Sequence, residues 1–168
     1  MNSTPQRLLG IDPGLRITGY AVLEVRRNGP ELCEAGVLRG GEGTLEKRIL
    51  TLHQGVLEII DQFHPQAMAV EQLYAHYKHP RTAIIMGHAR GVMLLAASLR
   101  DIPTFSYNAT QVKKLITGAG RASKDQIQRT VAQEMGLSAP PEPPDVADAM
   151  AIALTHYYAT LRDREDEI

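Results

Sequence analysis

The segment that most constrains this chain is an apolar run that ends in a lone carboxylate, within Leu8–Gly14. Asp12 closes the run, the Pro13-Gly14 pair follows at once, and a second apolar run begins at Tyr20. Apolar runs joined by a Pro-Gly turn predict two strands of one sheet, with the acid at the end of the first strand. Because burying an unpaired carboxylate is costly, Asp12 needs a cation, hydrogen-bond donors or a metal ion as its partner.

The size of the chain limits its organisation. With 168 residues, 43% of them hydrophobic, it can form one domain with a complete core and is too short for two. We interpret residues 1–162 as a single domain and residues 163–168 as a solvated acidic tail. Cys33 has no second cysteine to pair with and is interpreted as a small buried residue.

Charge and hydropathy restrict the partners. We find no signal-peptide pattern and no apolar run of bilayer length, so we expect a cytoplasmic protein with no membrane partner. The net charge is −1, so any nucleic-acid binding must depend on local basic patches.

Hydrophobic periodicity predicts an α/β protein in which strands and helices alternate. The predicted strands are 7–12, 19–26, 31–39, 67–70 and 102–107, and the predicted helices are 45–63, 82–99, 110–115, 123–136 and 145–158. Thr44, Thr110 and Ser123 are the candidate helix caps, the last with Gln126 in a capping box. The apolar strand at 67–70 follows a helix, which indicates a parallel crossover in a sheet covered on both faces.

The helix at 82–99 is apolar nearly all round. Such a helix in a small protein is either central to the core or part of a subunit interface, and its sequence leaves both interpretations open. Gly87 and Gly91 lie on one face, where another backbone could come close.

Four acidic residues stand out by their context. Asp12 and Glu71 each close an apolar strand, and Asp145 and Asp148 lie three residues apart at the start of the last helix. Strand ends and helix starts of an α/β sheet converge at one edge, where carboxylates would repel one another unless cations lay between them. Two Mg²⁺ ions held in this way can clamp the attacking and leaving oxygens of a displacement at phosphorus. The joint pattern therefore indicates metal-dependent phosphodiester hydrolysis.

Each acid taken alone has a simpler explanation. Asp145 would most often be a helix cap or a partner of the helix dipole, and a strand-ending acid is often a turn former. The Asp12 turn followed by Thr18-Gly19 is also similar to the phosphate loop of sugar kinases and actin-like ATPases, which need two such domains. Five further acids lie in polar or periodic contexts and are interpreted as surface charges: Glu24, Glu46, Asp61, Asp101 and Glu134.

Basic and aromatic residues cluster where a phosphodiester substrate could use them. They are Lys113, Lys114, Arg121 and Lys124 in one region, and Tyr74, Tyr77, Lys78 and Arg81 after Glu71. Cations near a reacting phosphate neutralise developing charge, and an exposed tyrosine can stack on an unpaired base. The simpler explanation for each lysine is a solvated helix face.

Several segments together resemble the bacterial RuvC family of Holliday-junction resolvases. The matching blocks are Gly10–Gly14 with Thr18–Tyr20, Glu71-Gln72, Gly87–Val92, Gln111–Lys113, and Asp145–Ala153 with Thr155-His156. The resemblance implies an RNase H-like fold, with a mixed central sheet flanked by helices on both faces. It also implies a crossover junction endodeoxyribonuclease that makes paired symmetric nicks in four-way DNA junctions during recombination and repair.

The resemblance assigns roles residue by residue. Four residues match the metal-binding carboxylates of the family, with two Mg²⁺ ions per site and Mn²⁺ as a substitute: Asp12, Glu71, Asp145 and Asp148. Lys113 and Lys124 match its catalytic lysines. Tyr74 stands where the family usually has a phenylalanine that stacks on a junction base, and further DNA contacts are expected at Lys78, Arg81, Lys114 and Arg121.

The resemblance also implies partners. Two copies are expected to pair through the helix at 82–99, and the RuvA–RuvB branch-migration complex is an expected partner. The segment 74–83 departs from the usual family pattern, and His88 replaces a glutamine, so the cut-site preference of the family is not carried over. A junction-binding module without activity, and a related RNase H-like nuclease acting on RNA or other branched DNA, are the alternatives left open.

Overall fold

The computed structural model describes residues 6–74 and 78–166, with side chains up to residue 161. Within these ranges the chain forms five strands and five helices. In chain order they are β1 (Gln6–Asp12), β2 (Ile17–Arg26), β3 (Gly29–Arg39), α1 (Leu45–Phe63), β4 (Ala67–Glu71), α2 (Pro80–Ser98), β5 (Thr104–Tyr107), α3 (Ala109–Thr117), α4 (Lys124–Glu134) and α5 (Pro144–Asp166).

The strands form one mixed sheet in the order β3-β2-β1-β4-β5. β1 and β3 are antiparallel to β2, whereas β4 runs parallel to both β1 and β5. The turn after Asp12 is closed by Thr18, whose hydroxyl donates to the Gly14 carbonyl at 2.7 Å. The predicted hairpin and the predicted parallel crossover are therefore both confirmed.

Helices cover both faces of the sheet. Leu9 and Ile11 of β1 point to one face, where they pack in a core with residues of α1 and α2. The other face packs against α3, α4 and α5, with Ala21, Leu23 and Ala69 contributed by the sheet. Successive residues of a strand point to opposite faces, so the apolar strands supply both cores.

Two predictions about single side chains are wrong. Cys33 is exposed, because it lies on β3, the edge strand of the sheet. Glu24 is only 6% exposed and is not a surface charge. It lies on the interior strand β2, where Arg7 donates to its carboxylate at 3.0 Å and Arg26 forms a second ion pair, so its buried charge is compensated.

The helix starts were predicted with mixed success. The Ser123–Gln126 capping box is present. α3 is capped by Asn108 in a capping box with Gln111, so the prediction that Thr110 caps this helix is wrong. Thr44 occupies the N-cap position of α1 without a side-chain cap hydrogen bond.

The last helix is longer than predicted. α5 continues to Asp166, past the predicted end at Tyr158 and into the segment interpreted as a tail. Residues 167–168 and Ala75, His76 and Tyr77 of the predicted loop lie outside the described residues. Among the helices described, none combines the length and apolar composition needed to cross a bilayer.

α2 has one buried face and one open face. Ala89, Met93, Ala96 and Ala97 pack into the core, which confirms the core interpretation for that side. Ile84 and Leu95, on the opposite side, are 63% and 51% exposed. The core interpretation therefore holds for the buried face of α2, and the open face is compatible with the interface interpretation.

Candidate active site

The four predicted carboxylates lie together at one edge of the sheet. Asp12 ends β1, Glu71 ends the neighbouring parallel strand β4, and Asp145 and Asp148 lie in the first two turns of α5. All four line one pocket of about 310 Å³, together with Lys113 of α3 and Lys124 of α4. Residues far apart in sequence are thus brought to one site by three helices and two strands.

Two glycines let α5 lie directly on the sheet. Gly19 is the cross-strand partner of Asp12, and a Cβ at this position would collide with the main chain of Asp145. A Cβ on Gly10 would collide with the main chain of Ala149. The missing side chains therefore allow the carboxylates of α5 to reach the end of β1.

Asp12 carries the strongest electrostatic perturbation. Burial is the largest cause that raises the pKa of its carboxyl, and together with the negative charges of Glu71, Asp148 and Asp145 and a hydrogen bond with Glu71 it brings that pKa to about 8. The pKa of Glu71 is also raised, mainly by burial, although a hydrogen bond from Asp12 and the charge of Lys124 oppose the shift. At neutral pH Asp12 and Glu71 therefore share a proton.

Lys124 partly neutralises the other side of the pocket. Its ammonium lies 2.8 Å from a carboxylate oxygen of Asp148, and this hydrogen bond raises the pKa of the lysine. Lys113 enters the same pocket from α3. Both lysines predicted to be catalytic therefore lie beside the acids.

The donor set suits a hard divalent cation. Four carboxylates in one pocket supply the oxygen ligands that Mg²⁺ and Mn²⁺ prefer. The carboxylates are not arranged as a preformed cage, since no three His, Cys, Asp or Glu side chains among the described residues have the geometry to hold a metal ion. The shared proton on Asp12 and the Lys124–Asp148 pair satisfy charges that a cation would otherwise neutralise.

The predicted DNA-contact residues lie outside this pocket. Tyr74 is 63% exposed and lines a neighbouring pocket of about 710 Å³ beside α2. Arg81 is exposed and lines a groove next to the start of α1. Lys78, Lys114 and Arg121 are exposed as well.

One residue beside the site received no role from sequence reasoning. Arg90 of α2 donates through Nε to the main-chain carbonyl of Glu71 at 3.0 Å and through Nη2 to the Ser106 hydroxyl at 2.6 Å. The available signal was an arginine in the middle of a largely apolar helix. That signal does not indicate which residue the guanidinium binds.

Comparison with known proteins identifies the family. A family profile described as "Crossover junction endodeoxyribonuclease RuvC" matches residues 8–156. The chain belongs to the RuvC family. A RuvC family member from Rhodopirellula baltica is 51% identical over 154 residues, which cover 90% of this chain and 85% of the relative. One from Hydrogenovibrio crunogenus is 44% identical over 157 residues, covering 93% and 90%.

Solved structures agree with this assignment. The structure of Thermus thermophilus RuvC superposes with a TM-score of 0.87 at 33% identity, covering 94% of this chain and 97% of that one. A second structure, T. thermophilus RuvC in complex with Holliday junction substrate, has a TM-score of 0.86 at 33% identity and covers 92% and 94%. A yeast mitochondrial Holliday junction resolvase, 14% identical with a TM-score of 0.69, shares the fold.

The RuvC assignment confirms the main predictions. The fold is α/β and RNase H-like, and the activity is that of a crossover junction endodeoxyribonuclease, which resolves Holliday junctions in DNA recombination and repair. The inactive binding module and the RNA-directed nuclease are not favoured. RuvC enzymes are metal-dependent nucleases, so the acidic pocket is the candidate site for a divalent cation.

Proposed function

We propose that this RuvC-family enzyme cuts four-way junctions by hydrolysis at two metal ions bound in the acidic pocket. The observation that carries the proposal is the convergence of Asp12, Glu71, Asp145 and Asp148 with two lysines in one pocket of about 310 Å³. When bound, the cations lower the pKa of an attacking water and neutralise charge on the phosphate. Mg²⁺ is the proposed metal, with Mn²⁺ as its substitute.

Asp12 is the proposed ligand shared by both ions. Its pKa is raised by Glu71, Asp148 and Asp145, so Asp12 interacts with all three of the other acids. Glu71 reaches the pocket from β4, and Asp145 and Asp148 reach it from α5. Asp12 is therefore the residue that would contribute to holding both cations.

The two lysines are proposed to support the reacting phosphate. Lys124 is held at the pocket by Asp148, 2.8 Å away, and Lys113 lies on the adjacent helix α3. If Asp148 held a cation, Lys124 would be available to donate to the phosphate oxygens. Positive charge at that position stabilises the negative charge that develops during hydrolysis.

DNA binding is proposed to use the exposed residues around the pocket. They are Tyr74, Lys78, Arg81, Lys114 and Arg121. The T. thermophilus relative was solved with Holliday junction substrate, which supports four-way junction DNA as the ligand here. The net charge of −1 is compatible with this only because the basic residues are clustered.

A homodimer is proposed to form through the open face of α2. This face carries Ile84 and Leu95, and a Cβ at Gly87 or Gly91 would meet no atom of the described residues within 4 Å. Two copies related by a two-fold axis would present two equivalent pockets, which suits paired symmetric nicks. The RuvA–RuvB partner stays a prediction from the family resemblance, and the cytoplasmic location stays a prediction from the sequence.

The decisive experiment compares Asp12→Asn with Asp101→Asn on a labelled synthetic four-way junction in Mg²⁺. Removing the shared ligand should reduce the cleavage rate by about 10³-fold or more, because metal-bound charge stabilisation is worth several kcal/mol. Junction binding should persist, since the exposed residues proposed to contact DNA lie outside the pocket and are unchanged. Asp101 is exposed and outside the pocket, and asparagine tolerates its positive φ of 54°, so this variant should cut normally.

The same assay tests the substrate. A panel of duplex, flap, RNA–DNA hybrid and four-way substrates should show cleavage concentrated on the four-way junction, at symmetric positions in two strands. Normal cleavage by Asp12→Asn would refute the metal mechanism, and equal cleavage of all substrates would refute the junction selectivity.

A further inference from the structure

Arg90 connects three elements next to the candidate metal site. It belongs to α2, its Nε donates to the carbonyl of Glu71 at the end of β4, and its Nη2 donates to Ser106 on β5. The guanidinium is half-buried and presents its donors in a fixed planar arrangement. One side chain thus joins a helix to the ends of two neighbouring strands.

Glu71 is the last residue of β4, and it pairs with only one of the two neighbouring strands. The pairing of β4 with β1 reaches only Val70, opposite Ile11, whereas the pairing with β5 extends to Glu71, opposite Tyr107. Immediately after Glu71, the Gln72 amide donates to the Tyr107 carbonyl at 2.8 Å, and the chain then leaves the sheet. On its other side the main chain of Glu71 is held by Arg90.

We propose that Arg90 is a positioning residue that fixes the main chain of Glu71, and through it the carboxylate, for divalent-metal binding. This inference rests on the proposed function, because it takes Glu71 to be a metal ligand. The hydrogen bond goes to the carbonyl and not to the carboxylate, so Arg90 restricts where the ligand lies without occupying its oxygens. Groups that orient metal ligands in this way affect metal affinity strongly.

Ser106 is the second hydrogen-bond partner that holds the Arg90 side chain. Its hydroxyl accepts from Nη2 at 2.6 Å, which orients the guanidinium so that Nε points at Glu71. Removing this hydroxyl leaves Nε free to donate but removes one of the two anchors. We therefore expect Ser106→Ala to have the same kind of effect as loss of Arg90, and a smaller one.

A competing role for Arg90 follows from its surroundings. It also lines the pocket of about 710 Å³ that contains Tyr74, a predicted DNA contact. If Arg90 served mainly to bind a phosphate of the junction, its loss would weaken DNA binding and leave metal binding intact. The two roles therefore predict opposite results in metal-binding and DNA-binding assays.

The test measures Mn²⁺ binding to the DNA-free protein by calorimetry for Arg90→Met, Arg90→Lys and Ser106→Ala. Arg100→Met is the matched control, because Arg100 also makes two hydrogen bonds, to Asp61, away from the pocket. Loss of an orienting group typically costs 10–100-fold, so Arg90→Met should raise the Mn²⁺ dissociation constant about tenfold or more. The control should bind Mn²⁺ as the wild type does.

Two further readouts separate positioning from a general loss of structure. Junction affinity in EDTA should be unchanged in Arg90→Met and in Arg90→Lys, whose compact ammonium keeps the positive charge but lacks the planar guanidinium arrangement that holds Glu71 and Ser106. In the cleavage assay the metal concentration for half-maximal rate should rise in Arg90→Met, with most of the rate recovered at saturating Mn²⁺.

Specific outcomes would overturn the proposal. Wild-type Mn²⁺ affinity in Arg90→Met, or weakened junction binding in EDTA with intact Mn²⁺ binding, would do so. Should Arg90→Met not fold, wild-type Mn²⁺ affinity in both Arg90→Lys and Ser106→Ala would count equally against it. Failure of the proposed function would look different, since the wild-type protein itself would then bind no Mn²⁺ or Asp12→Asn would still cut.

Discussion

At the scale of single residues, Asp12 is in an environment that disfavours its negative charge. Its carboxyl is buried beside three other acids, which raises its pKa to about 8 from an unperturbed value of 3.8. Without cations the folded protein keeps a proton there that the unfolded chain releases. The acidic pocket is therefore a site at which activity and stability conflict.

This conflict predicts how stability depends on pH. Between pH values near 3.8 and 8 the folded state binds more protons than the unfolded state, so the unfolding free energy should fall as pH rises through that window. Urea unfolding of the metal-free protein in EDTA should show this decline. Asp12→Asn should flatten the slope and raise stability at pH 8.5 by at least about 1 kcal/mol, equivalent to roughly one unit of pKa shift.

The flattening should be partial, because burial also raises the pKa of Glu71 and contributes with the same sign. Asp101→Asn should keep the wild-type slope. Addition of Mg²⁺ should stabilise the wild type at pH 8.5 and have much less effect on Asp12→Asn. An Asp12→Asn protein with the wild-type pH slope would show that Asp12 does not hold the shared proton.

At the scale of elements, the contact between α5 and the sheet decides where two of the four acids lie. The helix starts at Pro144 and crosses β2 at Gly19 and β1 at Gly10 without an intervening side chain. Periodicity predicts that Asp145 and Asp148 share a helix face. Only the close approach of this helix to the sheet places that face next to Asp12.

Gly19→Ala tests this close approach. The added Cβ would collide with the main chain of Asp145, so α5 must shift, and overpacking of this kind costs about 1–3 kcal/mol. We expect lower stability in urea unfolding and weaker Mn²⁺ binding, because Asp145 moves with the helix. Gly120→Ala is the control, since among the described residues its Cβ would meet only the Thr110 methyl group at 3.5 Å, an ordinary contact. Equal stability of the two variants would contradict this role for Gly19.

At the scale of the whole molecule, the open face of α2 is the proposed dimer interface, and dimerisation would determine whether one pocket or two act on a junction. Its buried face completes the core beneath the sheet, and its open face presents apolar side chains and two glycines to solvent. Apolar exposure of this kind on a helix is typical of an interface. A two-fold dimer through this face would join the two active sites into one enzyme.

Leu95→Lys tests the dimer. Leu95 is 51% exposed, so a lysine there should leave the fold intact while placing a charge in the proposed interface. We expect a monomer in sedimentation at concentrations where the wild type is a dimer, and loss of paired nicking. Leu50→Lys is the matched control, because Leu50 is 52% exposed on α1 and lies outside the proposed interface. A dimeric Leu95→Lys protein would place the interface elsewhere.

The sequence by itself determined most of the helices and strands and the acids that lie at the ends of strands and at the start of the last helix. Asp12, Glu71, Asp145 and Asp148 were identifiable because strand alternation, helical periodicity and Pro or Gly breakers are local properties of the chain. The Ser123 cap was predicted for the same reason. The family resemblance added the activity, which the family match confirms.

Tertiary structure decided everything that depends on which distant segments pack together. Three interactions join segments whose spacing in the sequence carries no local signal. They are the shared proton of Asp12 and Glu71, the Lys124–Asp148 ion pair, and the hydrogen bonds of Arg90. The same limit explains the errors at Cys33 and Glu24, because neither strand order nor ion-pair partners can be derived from periodicity. The identity of the acids and the elements that carry them can be read from local sequence. Their pKa values and positions arise only from burial and contact in the folded chain.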